Sequence, residues 1–296
     1  MISICIPIYN FNVTPLVDEL RNQIKGTDCE ILLIDDASTA FTSLHNVLKE
    51  QVKLICLPEN IGRAKIRNLF LKHARHDYLL FLDCDSLIEK KDFLATYLKL
   101  IKKENPMIAC GGRVYPINPP LAERMLRWKY GVASESKPAL ERAGNPHRSF
   151  MTNNFLANRS LFEQIRFDET LTQYGHEDTL FGFEIKKLQI PIVHIENPVL
   201  NGDLETNEEF LAKTDLGVQN LVRIVQSLES PEQFIQDVNL LNFYSEAVEK
   251  GRIKNFKRVD SVFGKRILRK LKNGSGSVKQ FSFYKLMLLV RYLEDK

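Results

Sequence analysis

Two aspartates one residue apart, Asp83 and Asp85, close the stretch Tyr78-Leu79-Leu80-Phe81-Leu82-Asp83-Cys84-Asp85. Its apolar part has the length of a buried strand in an α/β sheet, and ligands of such sheets bind just beyond the carboxyl ends of the strands. Two carboxylates there make a hard, anionic oxygen site, suited to a divalent cation whose remaining ligands are phosphate oxygens. The plain alternative is a strand end followed by a solvated acidic turn. Arg63 and Arg67, four residues apart, share one face of the helix predicted to open after Gly62. They lie near its N-terminus, where free N–H groups and the helix dipole favour anions. A solvated basic face or an ion pair would use the same two residues.

The elements that must position these groups alternate along the first ~100 residues. Strands are predicted at Ile2–Ile8, Glu30–Ile34, Val52–Leu57 and Tyr78–Leu82, and helices at Pro15–Asn22, Thr42–Glu50 and Arg63–Ala74. Short loops between them predict an α/β fold with a Rossmann-like, mostly parallel sheet and right-handed crossovers. Further on, Met107–Val114 reads as a strand, Leu121–Tyr130 as a short helix, and Pro116–Pro120 and Ser134–Arg148 as long loops. Helices are expected at Ser160–Gln164, Asp178–Leu188, Asn207–Leu228, Pro231–Lys250 and Phe281–Leu293, with a strand at Ile190–His194. The predicted boundaries are a main α/β domain over 1–225 and a basic helical C-terminal extension over 226–296.

Composition narrows the class. Hydrophobic content of 44% and charged content of 26% are those of a globular protein. The five cysteines, Cys5, Cys29, Cys56, Cys84 and Cys110, are scattered, with no Cys-x-x-Cys pair. That argues against a disulfide framework or zinc site and for a reducing, cytoplasmic setting. The start lacks a basic leader with an apolar region behind it, so no signal peptide is expected, and no apolar run is long enough for a membrane span. Residues 250–296 carry 14 Lys and Arg against 3 Asp and Glu, whereas residues 1–249 carry 27 against 34. A basic tail on an acidic body suggests docking on an anionic surface, such as the inner face of the cell membrane. The cations cluster at Lys265, Arg266, Arg269, Lys270 and Lys272, and apolar area is expected from Phe281 to Leu293. Packing of those apolar residues on the main domain or on a second copy is the competing reading.

Four segments, Ile4-Cys5-Ile6-Pro7-Ile8-Tyr9-Asn10, Leu33-Ile34-Asp35-Asp36-Ala37-Ser38, Asn60-Ile61-Gly62-Arg63-Ala64-Lys65-Ile66-Arg67-Asn68 and Phe81-Leu82-Asp83-Cys84-Asp85, occur in an order and spacing that resembles family 2 glycosyltransferases of the GT-A fold. Tyr174-Gly175-His176-Glu177-Asp178 resembles that family's Glu-Asp motif, so the likeness covers about residues 1–220. It implies transfer of a sugar from a nucleotide-sugar, a UDP-sugar, to a hydroxyl on a glycan or lipid-linked glycan, with no nucleic-acid partner. The implied donor site is Pro7, Tyr9, Asn10, Asp36, Arg63, Asp83 and Asn154. Asp36 would accept the uracil imide N–H, a choice cytosine cannot satisfy. Asp85 would hold Mn²⁺ or Mg²⁺, with Asp83 assisting or contacting ribose. Asp178, or its neighbour Glu177, would be the base that takes the acceptor's proton, with inversion at the anomeric carbon.

Each position keeps a structural alternative. Asp35, Asp36, Glu177 and Asp178 could cap helices, and Asn153 and Asn154 could bond within the core. Related sequences often carry a metal-binding His in a segment like Asn197–Gly202, where this chain has Asn201; His194 is the nearest imidazole. There is no Gln-x-x-Arg-Trp, since Trp128 is the only tryptophan. That motif marks processive synthases, so single-residue addition is expected. A haloacid-dehalogenase-like phosphatase also uses Asp-x-Asp, but its signature lies near the chain start, not after three strands. The absence of Gly-x-Gly-x-x-Gly after the first strand argues against a nicotinamide enzyme. A non-catalytic sugar-nucleotide-binding protein is opposed by the retained Asp83, Asp85 and Asp178.

Overall fold

In the computed structural model, which describes residues 1–294, β1 (Ile2–Ile8) is buried at every position but Pro7. Such two-sided burial is what an apolar run in a parallel sheet requires. It is followed by α1 (Thr14–Gln23), β2 (Glu30–Asp35), α2 (Thr42–Leu48), β3 (Lys53–Cys56), α3 (Arg63–His73), β4 (Tyr78–Leu82), β5 (Ser86–Leu87) and α4 (Phe93–Glu104). The middle of the chain forms β6 (Ile108–Cys110), β7 (Arg113–Val114), α5 (Met125–Tyr130), α6 (Ala139–Ala143), β8 (Asn154–Asn158) and α7 (Leu161–Gln164). Then come α8 (Glu177–Lys187), β9 (Ile192–His194), β10 (Val199–Asn201), α9 (Asn207–Ser227), α10 (Glu232–Asp237), α11 (Asn239–Glu249), α12 (Ile253–Lys272) and α13 (Val278–Glu294).

The chain forms two compact units. The first comprises residues 1–115, 136–172 and 184–203. It holds a sheet of order β3-β2-β1-β4-β8-β6-β9, and a small sheet of order β5-β10-β7. Strands β1 to β4 are parallel, as the alternating pattern predicts. β8 runs antiparallel between β4 and β6. The strand β8 has no signal in sequence, because Asn-Phe-Leu-Ala-Asn offers only three apolar residues and no period. Helix α4 is absent from the sequence expectations, although Phe93, Leu94, Tyr97 and Leu100 mark a buried stripe at helical spacing. The core joins Ile2, Ile4, Ile6 and Ile8 of β1 to Leu16, Val17 and Leu20 of α1 and to Phe93 and Tyr97 of α4.

The second unit comprises residues 116–135, 173–183 and 204–296. Helix α9 opens with a reciprocal capping box between Thr206 and Glu209. Leu126, Leu211, Leu271 and Phe281 form a core there. Leu286, Met287, Leu288, Leu289 and Val290 of α13 are buried as well. The apolar residues expected to face a membrane are therefore largely packed inside protein, and that expectation for α13 is corrected.

Three other expectations change. The run Met107–Val114 splits at Gly111 and Gly112. A Cβ on Gly111 would come within 2.3 Å of the Tyr97 hydroxyl, and one on Gly112, at φ +91°, within 2.7 Å of the Arg142 guanidinium. The helix expected over Pro231–Lys250 breaks at Val238, whose ψ of 111° is extended. The loop expected over Ser134–Arg148 contains α6 and is pinned by Arg142, 2% exposed. Arg142 donates to the carbonyls of Lys137, Cys110, Gly111 and Ile195 at 2.8–3.1 Å.

Candidate active site

The carboxyl ends of β1, β2 and β4 carry most of the donor-site residues expected from sequence. After β1, Pro7 keeps strand pairing with Ile34, Tyr9 is 54% exposed, and Asn10 turns the chain at φ +49°. The Asn10 amide oxygen accepts from the N–H groups of Thr39 and Ala40 at 2.8 and 3.0 Å, tying the loop after β1 to the loop after β2.

The two acids after β2 are both buried. Asp35 accepts from the Ser38 N–H at 2.9 Å and contacts His45 Nδ1 at 3.0 Å. Asp36 accepts from the N–H of Ile61 at 2.7 Å and of Gly62 at 3.1 Å. Gly62 at φ +84° is the N-cap of α3, so Asp36 anchors the loop that launches this helix. Burial pushes the Asp36 carboxyl up, and the two main-chain N–H bonds pull partly against it. Each Asp36 oxygen already holds one donor, and a base imide would share the remaining lone pairs.

After β4, Asp83 is surrounded by guanidinium groups. Arg67 Nη2 lies 3.1 Å from Oδ1; Arg113 Nη2 and Arg63 Nη2 lie 3.4 and 3.9 Å from Oδ2. Burial would raise the Asp83 pKa, but Arg63, Arg67 and Arg113 together hold it below the usual carboxylate range. Arg67 is 2% exposed, so it is a buried ion-pair partner, not part of a solvated face, while the Arg63 side chain is 43% exposed. Arg113 was not singled out from sequence. Its signal is the Gly111-Gly112 pair, which lets the chain turn tightly and set an arginine beside β4. Asp83 is thus already engaged by three cations, which leaves it poorly suited to direct metal ligation.

Asp85 differs. It is half-buried, and its main-chain carbonyl accepts from Gly202 N at 2.9 Å. On the adjoining ladder Asn201 pairs with Ser86. Both side chains are 2% exposed, and Asn201 Oδ1 and Ser86 Oγ are buried without a hydrogen-bond partner. An orphaned amide oxygen on the strand beside Asp85 fits a hard cation, because Mg²⁺ and Mn²⁺ favour carboxylate and carbonyl oxygens. His194 does not fit: its Nδ1 faces Arg142 Nη1 at 2.8 Å and its Nε2 the Pro146 carbonyl at 2.9 Å. Arg142 can only donate, so His194 is neutral with its hydrogen on Nε2, and burial pushes its pKa down. Among the described residues no three His, Cys, Asp or Glu side chains gather around one point. Asp85 and Asn201 are the residues here whose oxygen chemistry fits a hard cation.

The two asparagines opening β8 separate. Asn154 accepts from the Tyr97 hydroxyl at 2.6 Å and donates to the carbonyls of Gly112 and Asn197 at 3.0 and 2.9 Å. Its amide is committed to the core, the alternative that sequence left open. The Asn153 carbonyl accepts from Asp83 N at 3.2 Å, and its Nδ2 is buried without a partner.

Glu177 and Asp178 open α8, in the second unit. Two left-handed residues precede them, Gly175 at φ +99° and His176 at φ +66°. A Cβ on Gly175 would approach Gly217 Cα to 3.0 Å, and Asn220 Nδ2 donates to the Gly175 carbonyl at 2.5 Å. Thus α9 grips the turn through a glycine and a buried amide. Asp178 Oδ1 accepts from Thr179 N at 2.7 Å, and the helix N-terminus favours its ionised form. Glu177 is 6% exposed.

His176 supplies a test of this turn. Burial pushes its pKa down to about 4, against the pull of Glu177. The folded pKa lies below the unfolded value, so the unfolded chain binds the extra proton first as pH falls. Stability should therefore drop between about pH 6.5 and 4, by on the order of 2 kcal/mol. Asn tolerates positive φ, so His176→Asn should fold and lose this limb. Urea unfolding at pH 7 and 4.5 checks it; an unchanged pH dependence in the variant would show that His176 does not titrate this way.

Residues 3–168 match the family model described as glycosyl transferase family 2. The chain belongs to that family. The phosphatase alternative is thereby set aside, and the likeness read from five motifs is borne out. An uncharacterized glycosyltransferase of Haemophilus influenzae is 36% identical over 94 residues, 30% of this chain and 37% of that protein. The poly(ribitol-phosphate) beta-N-acetylglucosaminyltransferase TarP of Staphylococcus aureus is 32% identical over 97 residues, 30% of each chain. The chain thus spans well under half the length of these curated relatives.

The fold is shared with many solved structures. The mannosyltransferase PcManGT of Pyrobaculum calidifontis, in complex with GDP-Man and Mn²⁺, has a TM-score of 0.56 at 15% identity, over 100% of this chain and 87% of that one. S. aureus TarS 1-349 in complex with UDP-GlcNAc has a TM-score of 0.51 at 17% identity, over 100% and 92%. The GT-A fold expected from sequence, with its C-terminal helices, is the fold of this family 2 chain.

Proposed function

We propose that this family 2 chain is a metal-dependent, inverting glycosyltransferase that moves one sugar at a time from a UDP-sugar to a hydroxyl of a glycan or lipid-linked glycan. It would act in the cytoplasm, in the synthesis of a cell-surface polymer. The observation that carries the reading is the asymmetric acid pair after β4. Asp83 is ringed by Arg63, Arg67 and Arg113, while Asp85 adjoins the strand with the orphaned Asn201 oxygen. The arginines would hold the diphosphate, and Asp85 with Asn201 would hold Mn²⁺ or Mg²⁺. That cation would neutralise the charge growing on the leaving group.

Asp36 would receive the uracil imide N–H, Asn153 is favoured over Asn154 for a sugar contact, and Arg63 has the exposure to close over phosphate. Asp178 would take the proton from the acceptor hydroxyl as that oxygen bonds to the anomeric carbon and the bond to diphosphate breaks. On this reading residues 1–225 carry the chemistry and 226–296 form an extension. The deciding experiment is a panel of UDP- and GDP-sugars with Mn²⁺, read by thermal shift and by nucleotide release. A donor at 100 times its Kd adds about 2.7 kcal/mol of stability. A UDP-sugar should stabilise the protein and release UDP slowly by hydrolysis. Stabilisation only by GDP-sugars would overturn the base assignment, and binding with no release under any acceptor would favour a non-catalytic sugar-nucleotide-binding protein.

A further inference from the structure

We propose that the outward face of α12 is a docking surface for an anionic phospholipid bilayer. The helix carries eight Lys and Arg and a single acid, Asp260. One side of it, with Ile267, Leu268 and Leu271, packs into the core of the second unit. The other side leaves Val259, Val262 and Phe263 exposed at 43%, 70% and 49%. These three fall within about one turn on one face, and Arg258, Lys265, Arg266 and Arg269 flank them at helical spacing. A groove of about 310 Å³ opens at this face, lined by Val259, Phe263, Arg266, Ile267, Lys270 and Gln280.

The helix divides its cations by use. Lys257 pairs with Glu294 and Lys272 with Glu208. Arg258, Lys265, Arg266, Arg269 and Lys270 form no ion pair among the described residues. The sequence placed both the cations and the apolar area of the tail at an interface. The structure moves the apolar contribution from α13, which is core, to α12.

Charge and apolarity together select the occupant. A soluble polyanion would satisfy the cations and leave Val262 and Phe263 in water. A second copy meeting the same face by two-fold symmetry would set five cations against five. An anionic bilayer offers phosphate to the cations and acyl chain to the valines and Phe263, the arrangement of an interfacial amphipathic helix. Among the described residues no helix is long and apolar enough to cross a membrane, so α12 would lie along the surface.

The test is co-sedimentation of the full chain with vesicles of phosphatidylcholine alone or mixed with phosphatidylglycerol. The protein should bind only the mixed vesicles, and less as salt rises. Each cation near the surface contributes about fivefold in partitioning. The double variant Arg266→Glu, Lys270→Glu should therefore lose on the order of a hundredfold, and Val262→Asp at least tenfold. Unchanged melting midpoints would show that both variants fold. No binding by the wild type, or binding that both variants retain, overturns the proposal. So does a dimer in sedimentation velocity that Val262→Asp dissociates, which would give this face to a second copy. Capture by soluble polyphosphate, undiminished by Val262→Asp and without vesicle binding, would likewise overturn it in favour of a polymer.

Discussion

Asp85→Ala should lower sugar transfer by about 10³-fold or more, because the cation it would hold supplies several kcal/mol of leaving-group stabilisation. The fold should survive. Asp85 is only half-buried, and the bond it contributes to the ladder, from Gly202 N, is made by its main-chain carbonyl. Mn²⁺ titration followed by calorimetry in the presence of UDP separates loss of the metal from loss of structure. The variant should show no metal-dependent heat while its thermal midpoint stays near wild type. Asp83→Ala should behave differently, since it strips a shared, largely buried anion from Arg63, Arg67 and Arg113. That variant should lose stability by about 3 kcal/mol. Full transfer by the wild-type protein in excess EDTA would end the metal reading altogether.

Asp178→Asn is expected to cut kcat by a factor of about 10² to 10⁴ while UDP affinity stays near wild type. The replacement is nearly isosteric, and its amide oxygen can still accept from Thr179 N, the bond Asp178 makes now. It cannot take a proton from an acceptor hydroxyl. Steady-state kinetics with a competent donor and acceptor, beside calorimetric UDP binding, distinguish a lost base from a lost binding site. Near-normal turnover would move the role to Glu177, which is buried at the same helix start. A parallel fall in UDP affinity would mean that the turn held by Asn220 and Gly217 had shifted.

The sequence by itself determined the elements whose signals are local. β1 and β4 fall where their apolar runs begin and end, and α3 starts at Arg63 because Gly62 is its N-cap. It also determined the family, since short motifs in fixed order survive where overall identity is low. Tertiary structure decided what depends on partners distant in the chain. β8 is a strand because β4 and β6 flank it, and no period in five residues could announce that. Asn154 is core because Tyr97, Gly112 and Asn197 converge on its amide, while its neighbour Asn153 keeps a donor unspent. Arg67 and Arg113 join Arg63 at the site only because folding sets all three against Asp83. Likewise α13 is apolar enough for an interface, but the helices it packs on bury it, and α12 is left facing out. Types and spacing define what each side chain can do chemically. Which of those capacities is already used depends on groups that only the fold brings within hydrogen-bond distance.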